Sequence, residues 1–325
     1  KIANALTHTK LFRKVKMVKT KFYTYDQNIF DDIRDVIGMI VGNNKKYRSL
    51  IWNEDIFYNQ IFYYNLSILT YLVYDISIKN GIEPKCIRYE EGIASYPAMK
   101  EVDFGKRIKL LRIIRSLFLK KDVFRNTRDF YCFYPQLFHG NEGQSCRQIP
   151  FLEKDDKEII RILNSIFGYH PIEYKQKYIY FSTSMDIDGK KIGEDQIVKQ
   201  ITEAVGKDNI VVKVHPRDTR IIYQNMGLTI WENSEIPWEI IQLNNDFRDK
   251  VFISLSSGSI LNSSAMLNEN IRTFYIFPCV KGKDRSFDDY CEKLAKSVKD
   301  LQELGYCKNH VITSNIEQVK INGEV

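Results

Sequence analysis

Short runs of β-branched and aromatic residues alternate with stretches of helical periodicity along most of the chain. The β-rich runs lie at residues 49–53, 85–89, 129–134, 177–182, 210–214, 251–255, 272–277 and 310–313. Stretches with the spacing of an amphipathic helix separate most of them, including residues 194–205, 238–243 and 288–304. Strands that alternate with helices build parallel sheets, so the pattern predicts an α/β fold.

The chain has 325 residues, which is more than one hydrophobic core usually supports, and two domains are therefore expected. Glycine, proline and polar residues interrupt the periodicity over residues 135–155. We expect one domain over residues 1–145 and a second over residues 146–325. The opening segment, KIANALTHTK, is typical of the second half of a helix. A βα unit normally starts with its strand, so we expect a strand that precedes this segment.

Composition and charge narrow the class of protein. Hydrophobic residues make up 44% of the chain and charged residues 27%, as is ordinary for a soluble globular protein. The net charge of +7 suits an anionic partner, but no nucleic-acid-binding motif is present, so no nucleic-acid partner is expected. The six cysteines form no C-x-x-C pair, which argues against a zinc knuckle or a dithiol redox motif. They are typical of reduced thiols in a cytoplasmic protein.

Two segments bear on membrane contact. Residues 56–74 carry no charge, but their five tyrosines and their amide side chains favour a buried aromatic helix over a membrane span. Residues 105–128 hold nine Lys or Arg residues and one acidic residue, with apolar residues between them. This pattern fits a core-facing helix with a solvated basic face, or a helix that contacts anionic lipid. No cleavable signal sequence is evident, and we expect a cytoplasmic protein, either free or attached peripherally to the inner face of the cell membrane.

The sequence VVKVHPRD, residues 211–218, ends a predicted strand with two basic residues. Side chains alternate along a strand, so Lys213 and His215 point to the same side, and Pro216 ends the strand. Two interpretations follow: a pair of side chains that faces an anion, or a strand that simply ends at a polar turn.

The sequence RYEEGIASY, residues 88–96, places Glu90, Glu91 and Gly92 after another predicted strand. In an α/β sheet the carboxyl end of a strand faces the ligand crevice. Adjacent carboxylates repel each other, which raises the pKa of one of them and suits it to act as a general base. A solvated acidic turn is the alternative.

Two further stretches contain candidate binding residues. In FISLSSGSILNSS, an apolar strand leads into Ser256 and Ser257 and then into a predicted helix. Hydroxyls and free amides at a helix N-terminus bind phosphate, although the same serines could equally be helix caps. In SEIPWE, Glu239 follows a proline at a helix start, where its carboxylate could bind ribose hydroxyls.

Taken in order, the acidic pair with glycine, K-x-H-P, P-x-E and Ser-Ser resemble the motif set of the bacterial sialyltransferases. Family 52 of the glycosyltransferases, the lipooligosaccharide and capsule sialyltransferases, is the most similar, and the bacterial polysialyltransferases share these motifs. The resemblance covers most of the chain. It implies a GT-B fold, in which two Rossmann-like domains face a central cleft that holds CMP-sialic acid. It also implies an inverting transfer of sialic acid to a galactoside-type terminus of a bacterial surface glycan.

The resemblance assigns a role to each motif residue. On the acceptor side, in residues 1–145, Glu91 would deprotonate the acceptor hydroxyl, with Glu90 and Gly92 beside it. On the sugar-donor side, His215 would contact the CMP phosphate and assist its departure. The remaining sugar-donor residues would be Lys213 at the cytosine, Pro216 in the same motif, Glu239 at the ribose, and Ser256 and Ser257 at the phosphate.

The loop STSMDIDG, residues 182–189, leaves the identity of the base open. Some family 52 enzymes use an Asp that precedes the His-Pro motif, which makes Asp186 the rival of Glu91. Thr183 and Ser184 on this loop could touch the phosphate of the sugar donor. A sugar donor with one phosphate can depart without a metal, so we expect no metal site and no cofactor beyond the substrate CMP-sialic acid. We interpret Asp186 and Asp188 as a coincidental D-x-D pattern.

Two alternatives from the residues stay open. The chain could be a GT-B transferase that uses another nucleotide sugar, such as a UDP-hexose. It could also be a basic glycan-binding or membrane-binding module that retains a catalytically inactive transferase fold. The expected partners are a nucleotide-sugar donor and a glycan acceptor, and the sequence leaves a homodimer open.

Overall fold

The computed structural model describes residues 6, 58–64, 68–90, 92, 96, 123, 126–138, 144–232, 234–280 and 285–321. The chain divides into two compact units: Lys16–Pro150, and Phe151–Val325 together with Lys1–Val15. The sequence suggested a boundary between residues 145 and 146. In the structure that position lies at the start of a strand that belongs to the sheet of the first unit.

The first unit contains a four-stranded sheet in the order β1-β2-β3-β4, with every neighbouring pair parallel. Its strands are β1 (Gln60–Tyr63), β2 (Lys85–Tyr89), β3 (Thr127–Cys132) and β4 (Ser145–Gln148). Helix α1 (Ile68–Lys79) connects β1 to β2, and a 3-10 turn (Pro135–Leu137) follows β3. Aromatic side chains of α1, including Tyr71 and Tyr74, pack with Ile61 and Tyr63 of β1 and Cys86 of β2.

The single buried helix predicted over residues 56–74 is wrong. Strand β1 and the first part of helix α1 occupy this segment. Side chains along β1 alternate between exposed and buried, which is the period of a strand. A run of tyrosine, phenylalanine and isoleucine has no polar positions that reveal its period, so a strand cannot be told from a buried helix there.

The other predicted strands that fall on described residues are present. Strand β4 was missed because it is polar, with the sequence SCRQ and no buried side chain. The predicted strand at residues 49–53, the opening segment apart from the helical Leu6, and residues 105–122, 124 and 125 of the basic stretch lie outside the described residues. The last two residues of that stretch, Thr127 and Arg128, belong to strand β3 and not to a helix. No helix in the described part of the chain is both long and apolar enough to cross a membrane.

The second unit contains a six-stranded sheet in the order β10-β9-β8-β5-β6-β7, again with every pair parallel. Its strands are β5 (Tyr178–Phe181), β6 (Ile210–Lys213), β7 (Thr229–Ile230), β8 (Val251–Ser254), β9 (Arg272–Tyr275) and β10 (His310–Ile312). Its helices are α2 (Lys157–Phe167), α3 (Glu194–Val205), α4 (Ile222–Asn225), α5 (Trp238–Asn244), α6 (Gly258–Met266), α7 (Arg285–Glu303) and α8 (Ile316–Ile321). The predicted helices over 194–205, 238–243 and 288–304 correspond to α3, α5 and α7.

Both faces of this sheet are covered, and β5, β6 and β8 are buried at every position. One face packs against α3 through Val198 and Ile201. The other packs against a cluster of aromatic rings that includes Trp231, Trp238 and Phe252. Burial on both faces explains why the strands are continuous apolar runs, as is usual for parallel sheets.

The strand order places a topological switch point between β5 and β8. From β5 the chain adds β6 and β7 on one side, then returns to add β8, β9 and β10 on the other side. This is the order of a doubly wound α/β sheet, in which loops diverge on the two sides of the switch point and leave a crevice at the carboxyl ends of the strands. Ligands bind in that crevice. The loops after β5, β6 and β8 are therefore the place to look for a site.

Candidate functional site

The carboxyl ends of β5 and β8 are joined at the switch point by a serine. The Ser254 hydroxyl donates a hydrogen bond to the Phe181 carbonyl (2.8 Å), and it accepts one from the Ser257 amide (3.0 Å). Ser254 is completely buried. This side chain fixes the turn that leads from β8 into helix α6.

The start of helix α6 has hydrogen-bonding groups available for a ligand. Ser256 is only 2% exposed, and its buried hydroxyl has no hydrogen-bond partner in the described structure. Ser257, at the N-cap position of α6, makes no side-chain capping bond to the helix. First-turn amides of a helix are unsatisfied by the helix itself and carry its positive dipole end. The Ser257 amide donates to the Ser254 hydroxyl and the Gly258 amide to the Tyr290 hydroxyl. At the very start of α6 it is therefore the unpartnered Ser256 hydroxyl that suits an anion.

His215 lies in the loop after β6 and is held by its backbone. Its amide donates to the Ser182 hydroxyl (2.8 Å), and its Nδ1 accepts from the Arg217 amide (3.2 Å). Burial lowers the pKa of His215, and the nearby charges of Arg217 and Lys213 lower it further. The imidazole is therefore neutral at pH 7. Because Nδ1 is an acceptor, Nε2 carries the proton and can donate it in a hydrogen bond.

Lys213, the last residue of β6, is buried beside acidic residues. Its ammonium donates to the Ser234 carbonyl (2.9 Å). Burial lowers the pKa of Lys213 to about 8, and the charges of Glu239 and Glu235 oppose that shift. Glu239 lies in the first turn of α5, and burial raises its pKa, which the charge of Lys213 opposes. Lys213 and Glu239 thus form an electrostatic pair, and Lys213 also influences His215.

The hydroxyl groups of Thr183 and Ser184, on the loop after β5, already have protein partners. Thr183 donates to Glu194 from both its amide and its hydroxyl, each at 2.8 Å. The Ser184 hydroxyl donates to Asp188 (2.9 Å) and accepts from Arg217 (2.6 Å). Their assignment to the phosphate of the sugar donor stays a prediction. Their hydroxyl protons point to carboxylates, which makes them less suited to it than Ser256.

Asp186 and Asp188 are both engaged within the protein. Asp186 accepts hydrogen bonds from the amides of Gly193 (3.2 Å) and Glu194 (3.0 Å) at the start of α3. Asp188 forms an ion pair with Arg217 at 2.8 Å, and this pair links the loops after β5 and β6. The described residues include no cluster of three or more side chains that could hold a metal ion.

On the first unit, Glu90 is anchored at the end of β2. Its carboxylate accepts from the Tyr96 hydroxyl (2.6 Å) and from the Phe133 amide (2.9 Å) in the loop after β3. Burial raises the pKa of Glu90, and both hydrogen bonds oppose that shift. Gly92 is part-buried, in a bend. Glu91, the first candidate for the base, lies outside the described residues.

The structure brings together residues from three of the sequence motifs. Lys213 interacts electrostatically with His215 and also with Glu239. Ser256 and Ser257 lie across the switch point, at the end of the strand that neighbours β5. Pro216 follows His215 and is exposed.

Sequence reasoning missed two residues of this region, Glu194 and Arg217. Glu194 is the first residue of a helix, where a glutamate is ordinarily solvated, and its complete burial is a tertiary effect. Arg217 directly follows the K-x-H-P motif, but its partners Asp188 and Ser184 lie on a loop 29 and 33 residues earlier in the chain. The hydroxyl-rich loop STSMDIDG was the one available signal.

Comparison with known proteins identifies the type of fold. No protein-family model and no curated protein matches the chain. A solved structure described as the glycotransferase of kitacinnamycin matches 99% of this chain and 80% of its own, with a TM-score of 0.51 and 12% identity. The chain has a glycosyltransferase-like fold. The switch point of the six-stranded sheet is the candidate ligand site, and the resemblance to family 52 stays a prediction.

Proposed function

We propose that the protein is a glycosyltransferase of the GT-B type that uses a nucleotide-sugar donor. We further propose that the sugar donor is CMP-sialic acid and that the acceptor is a galactoside-type terminus of a bacterial surface glycan. Two units that each contain a parallel sheet, and the likeness to a glycosyltransferase over nearly the whole chain, support the general reaction. The ordered motifs support the specific donor.

The unpartnered Ser256 hydroxyl at the start of α6 is the observation that carries the proposal. A buried hydroxyl without a partner costs roughly 1–3 kcal/mol, and a ligand that donates to or accepts from it removes that cost. Ser256 lies at the switch point of a doubly wound sheet, beside the amides of a helix N-terminus. A phosphate accepts hydrogen bonds from such a hydroxyl and from helix N-terminal amides that have no other partner.

The neighbouring residues suit the rest of a nucleotide. We propose that Lys213 and Glu239 face the nucleoside, with Lys213 at the base and Glu239 at the ribose hydroxyls. Neutral His215 donates from Nε2 to the phosphate oxygen that becomes free when the bond to the sugar breaks. Such a hydrogen bond strengthens as negative charge develops, which is the condition for lowering the barrier.

The transfer is proposed as a direct displacement with inversion. The acceptor hydroxyl oxygen forms the new bond to the anomeric carbon, CMP leaves with the electron pair of the broken bond, and a carboxylate takes the hydroxyl proton. Glu91 is the proposed base. Asp186 accepts hydrogen bonds from two backbone amides at the start of helix α3, and these bonds favour a structural role for Asp186.

The setting of the reaction is part of the same proposal. We propose a cytoplasmic enzyme whose basic residues 105–128 allow peripheral contact with the anionic inner face of the cell membrane, where acceptors of this kind are built. A homodimer is compatible with the proposal and is not required by it.

Nucleotide protection in a thermal melt tests the choice of sugar donor. CMP at about 100 times its Kd should stabilise the protein by about 2.7 kcal/mol, which raises the melting temperature by several degrees. UDP should give a much smaller shift. Protection by UDP alone would contradict the CMP-sialic acid assignment and favour a UDP-hexose transferase. If neither nucleotide protects the protein, and mass spectrometry finds no product from CMP-sialic acid and a galactoside panel, the result would favour the catalytically inactive binding module.

Chelation tests the expected independence from metal. Transfer should proceed undiminished in excess EDTA, because side chains and amides supply the phosphate contacts. The measurement is the initial rate with and without EDTA, followed by addition of Mg²⁺ or Mn²⁺. An activity that EDTA abolishes and Mn²⁺ restores would instead make Asp186 and Asp188 candidate ligands.

A further inference from the structure

Glu194 is a completely buried carboxylate that the proposed reaction does not use. It is the first residue of helix α3, and it is 0% exposed. Its carboxylate accepts three hydrogen bonds: from the Tyr180 hydroxyl, the Thr183 amide and the Thr183 hydroxyl, each at 2.8 Å. Burying a carboxylate is costly, and these three hydrogen bonds offset part of that cost.

Glu194 and the loop after β5 hold each other in a reciprocal arrangement. The loop residue Asp186 accepts the amides of Gly193 and Glu194, and so caps helix α3. The helix residue Glu194 in turn accepts a hydrogen bond from the amide of Thr183, and so fixes the loop. Two carboxylates therefore fix one short segment from opposite ends, as in a capping box that joins two elements.

The fixed segment leads directly to His215. Ser182, the neighbour of Thr183, donates from its amide to the Lys213 carbonyl (3.1 Å). The Ser182 hydroxyl accepts the His215 amide at 2.8 Å. A shift of the loop would therefore shift the backbone that carries the imidazole.

We propose that Glu194 is a positioning residue that fixes the loop after β5 and, through Ser182, sets the place of His215 at the switch point. The role in turnover rests on the proposed function. The role in positioning does not, because it concerns contacts within the second unit.

The protonation state of Glu194 gives this role a pH signature. The titratable groups that face it are Tyr180 on β5, Asp186 on the loop and Tyr223 on α4. Burial raises the pKa of Glu194 from 4.5 to about 7, and its hydrogen bonds oppose that shift. The ionised form accepts all three donors, so positioning should weaken as the pH falls through about 7.

Stability should respond to pH in the opposite direction. Because the folded pKa lies above the unfolded value, the stability that Glu194 contributes is fully present below pH 4.5 and is lost as the pH rises through about 7. Relative to a Glu194→Gln variant, the wild type should thus lose stability between about pH 4.5 and 7, and it should gain turnover as the pH rises through about 7. If Glu194 had only a structural role, stability would change with pH in this way but turnover would not rise as stability falls.

The experiment compares Glu194→Gln with Glu203→Gln, which removes the same charge from an exposed position on the same helix. Amide hydrogen exchange should become at least about tenfold faster at Thr183 and His215 in Glu194→Gln and stay unchanged in Glu203→Gln. With CMP-sialic acid, kcat should fall roughly 10- to 100-fold with a smaller change in KM. The reason is that misplacing the imidazole mainly removes a contact that stabilises the transition state. The inflection of the pH profile near 7 should disappear.

Each outcome decides a separate question. Equal exchange at Thr183 and His215 in both variants overturns the positioning role, whatever the activity. If Glu194→Gln does not fold, Thr183→Val, which deletes one donor and keeps the amide, should accelerate exchange about threefold at the same sites, and no change there overturns the role. Absence of transfer in the wild type would refute the proposed function, while the exchange result would still decide the positioning role.

Discussion

Replacement of His215 by alanine is expected to lower turnover by about two to four orders of magnitude and to leave the fold intact. The imidazole donates to the departing phosphate in the proposed mechanism, and alanine removes that donor. Two hydrogen bonds at this position use backbone atoms of residue 215 and survive the change. The amide donates to the Ser182 hydroxyl, and the carbonyl accepts from the Asp218 amide. The measurement is kcat with CMP-sialic acid, together with a thermal melt.

His170→Ala is the matched control for this experiment. His170 is an exposed residue in the segment after α2, so its loss should leave kcat and the melting temperature unchanged. Near-normal transfer by a folded His215→Ala protein would remove His215 from the mechanism. A matching loss in His170→Ala would show that the assay responds to something other than the site.

Replacement of Ser256 by alanine should weaken binding of the sugar donor and stabilise the free protein. A hydrogen bond to a charged phosphate contributes about 1.5–3 kcal/mol, so Kd for CMP should rise roughly 10- to 100-fold. The free protein loses a buried hydroxyl that has no partner in the described structure, which should raise its free energy of unfolding by roughly 1 kcal/mol. Calorimetric titration and denaturant unfolding measure the two effects.

Ser264→Ala separates the two effects. Ser264 is a second buried hydroxyl on helix α6 without a partner in the described structure, and it lies near the other end of the helix. Its replacement should also stabilise the protein but should leave CMP affinity unchanged. Equal affinity in Ser256→Ala and the wild type would contradict the phosphate assignment, and weaker binding in both variants would point to a general effect on the helix.

The central strands β5, β6 and β8 of the second unit could be predicted because burial on both faces makes them apolar. Val251–Ser254 and Ile210–Lys213 are buried at every position, and both were placed within one residue of their observed ends. Strands β1, β4 and β7 were not predicted: β1 lies in an aromatic run without a clear period, β4 is polar, and β7 has only two residues. The order of strands was also beyond the sequence, because it depends on pairing between distant segments.

The candidate site was predictable where a motif carries its chemistry within a few residues. His215 and Ser256 each follow an apolar strand, and a polar residue at that position is visible in the sequence. The fate of Thr183 was not visible, because its hydroxyl is bonded to Glu194, whose burial depends on how helix α3 packs. Local sequence patterns identify polar side chains at the carboxyl edge of a sheet. The hydrogen-bond partners of those side chains depend on tertiary packing.

The central position of β5 affects how the second unit is made. Its partner across the switch point arrives late, since Ser254 lies 73 residues after the Phe181 carbonyl to which it donates. Pairing across long loops is slow because the loop must close before contacts form. During synthesis β6 and β7 can join β5 while its other edge stays unpaired, and an apolar strand with an open edge is prone to aggregate. The nascent chain should therefore depend most on chaperones between the release of β5 and that of β8, the interval before the crevice at the switch point exists.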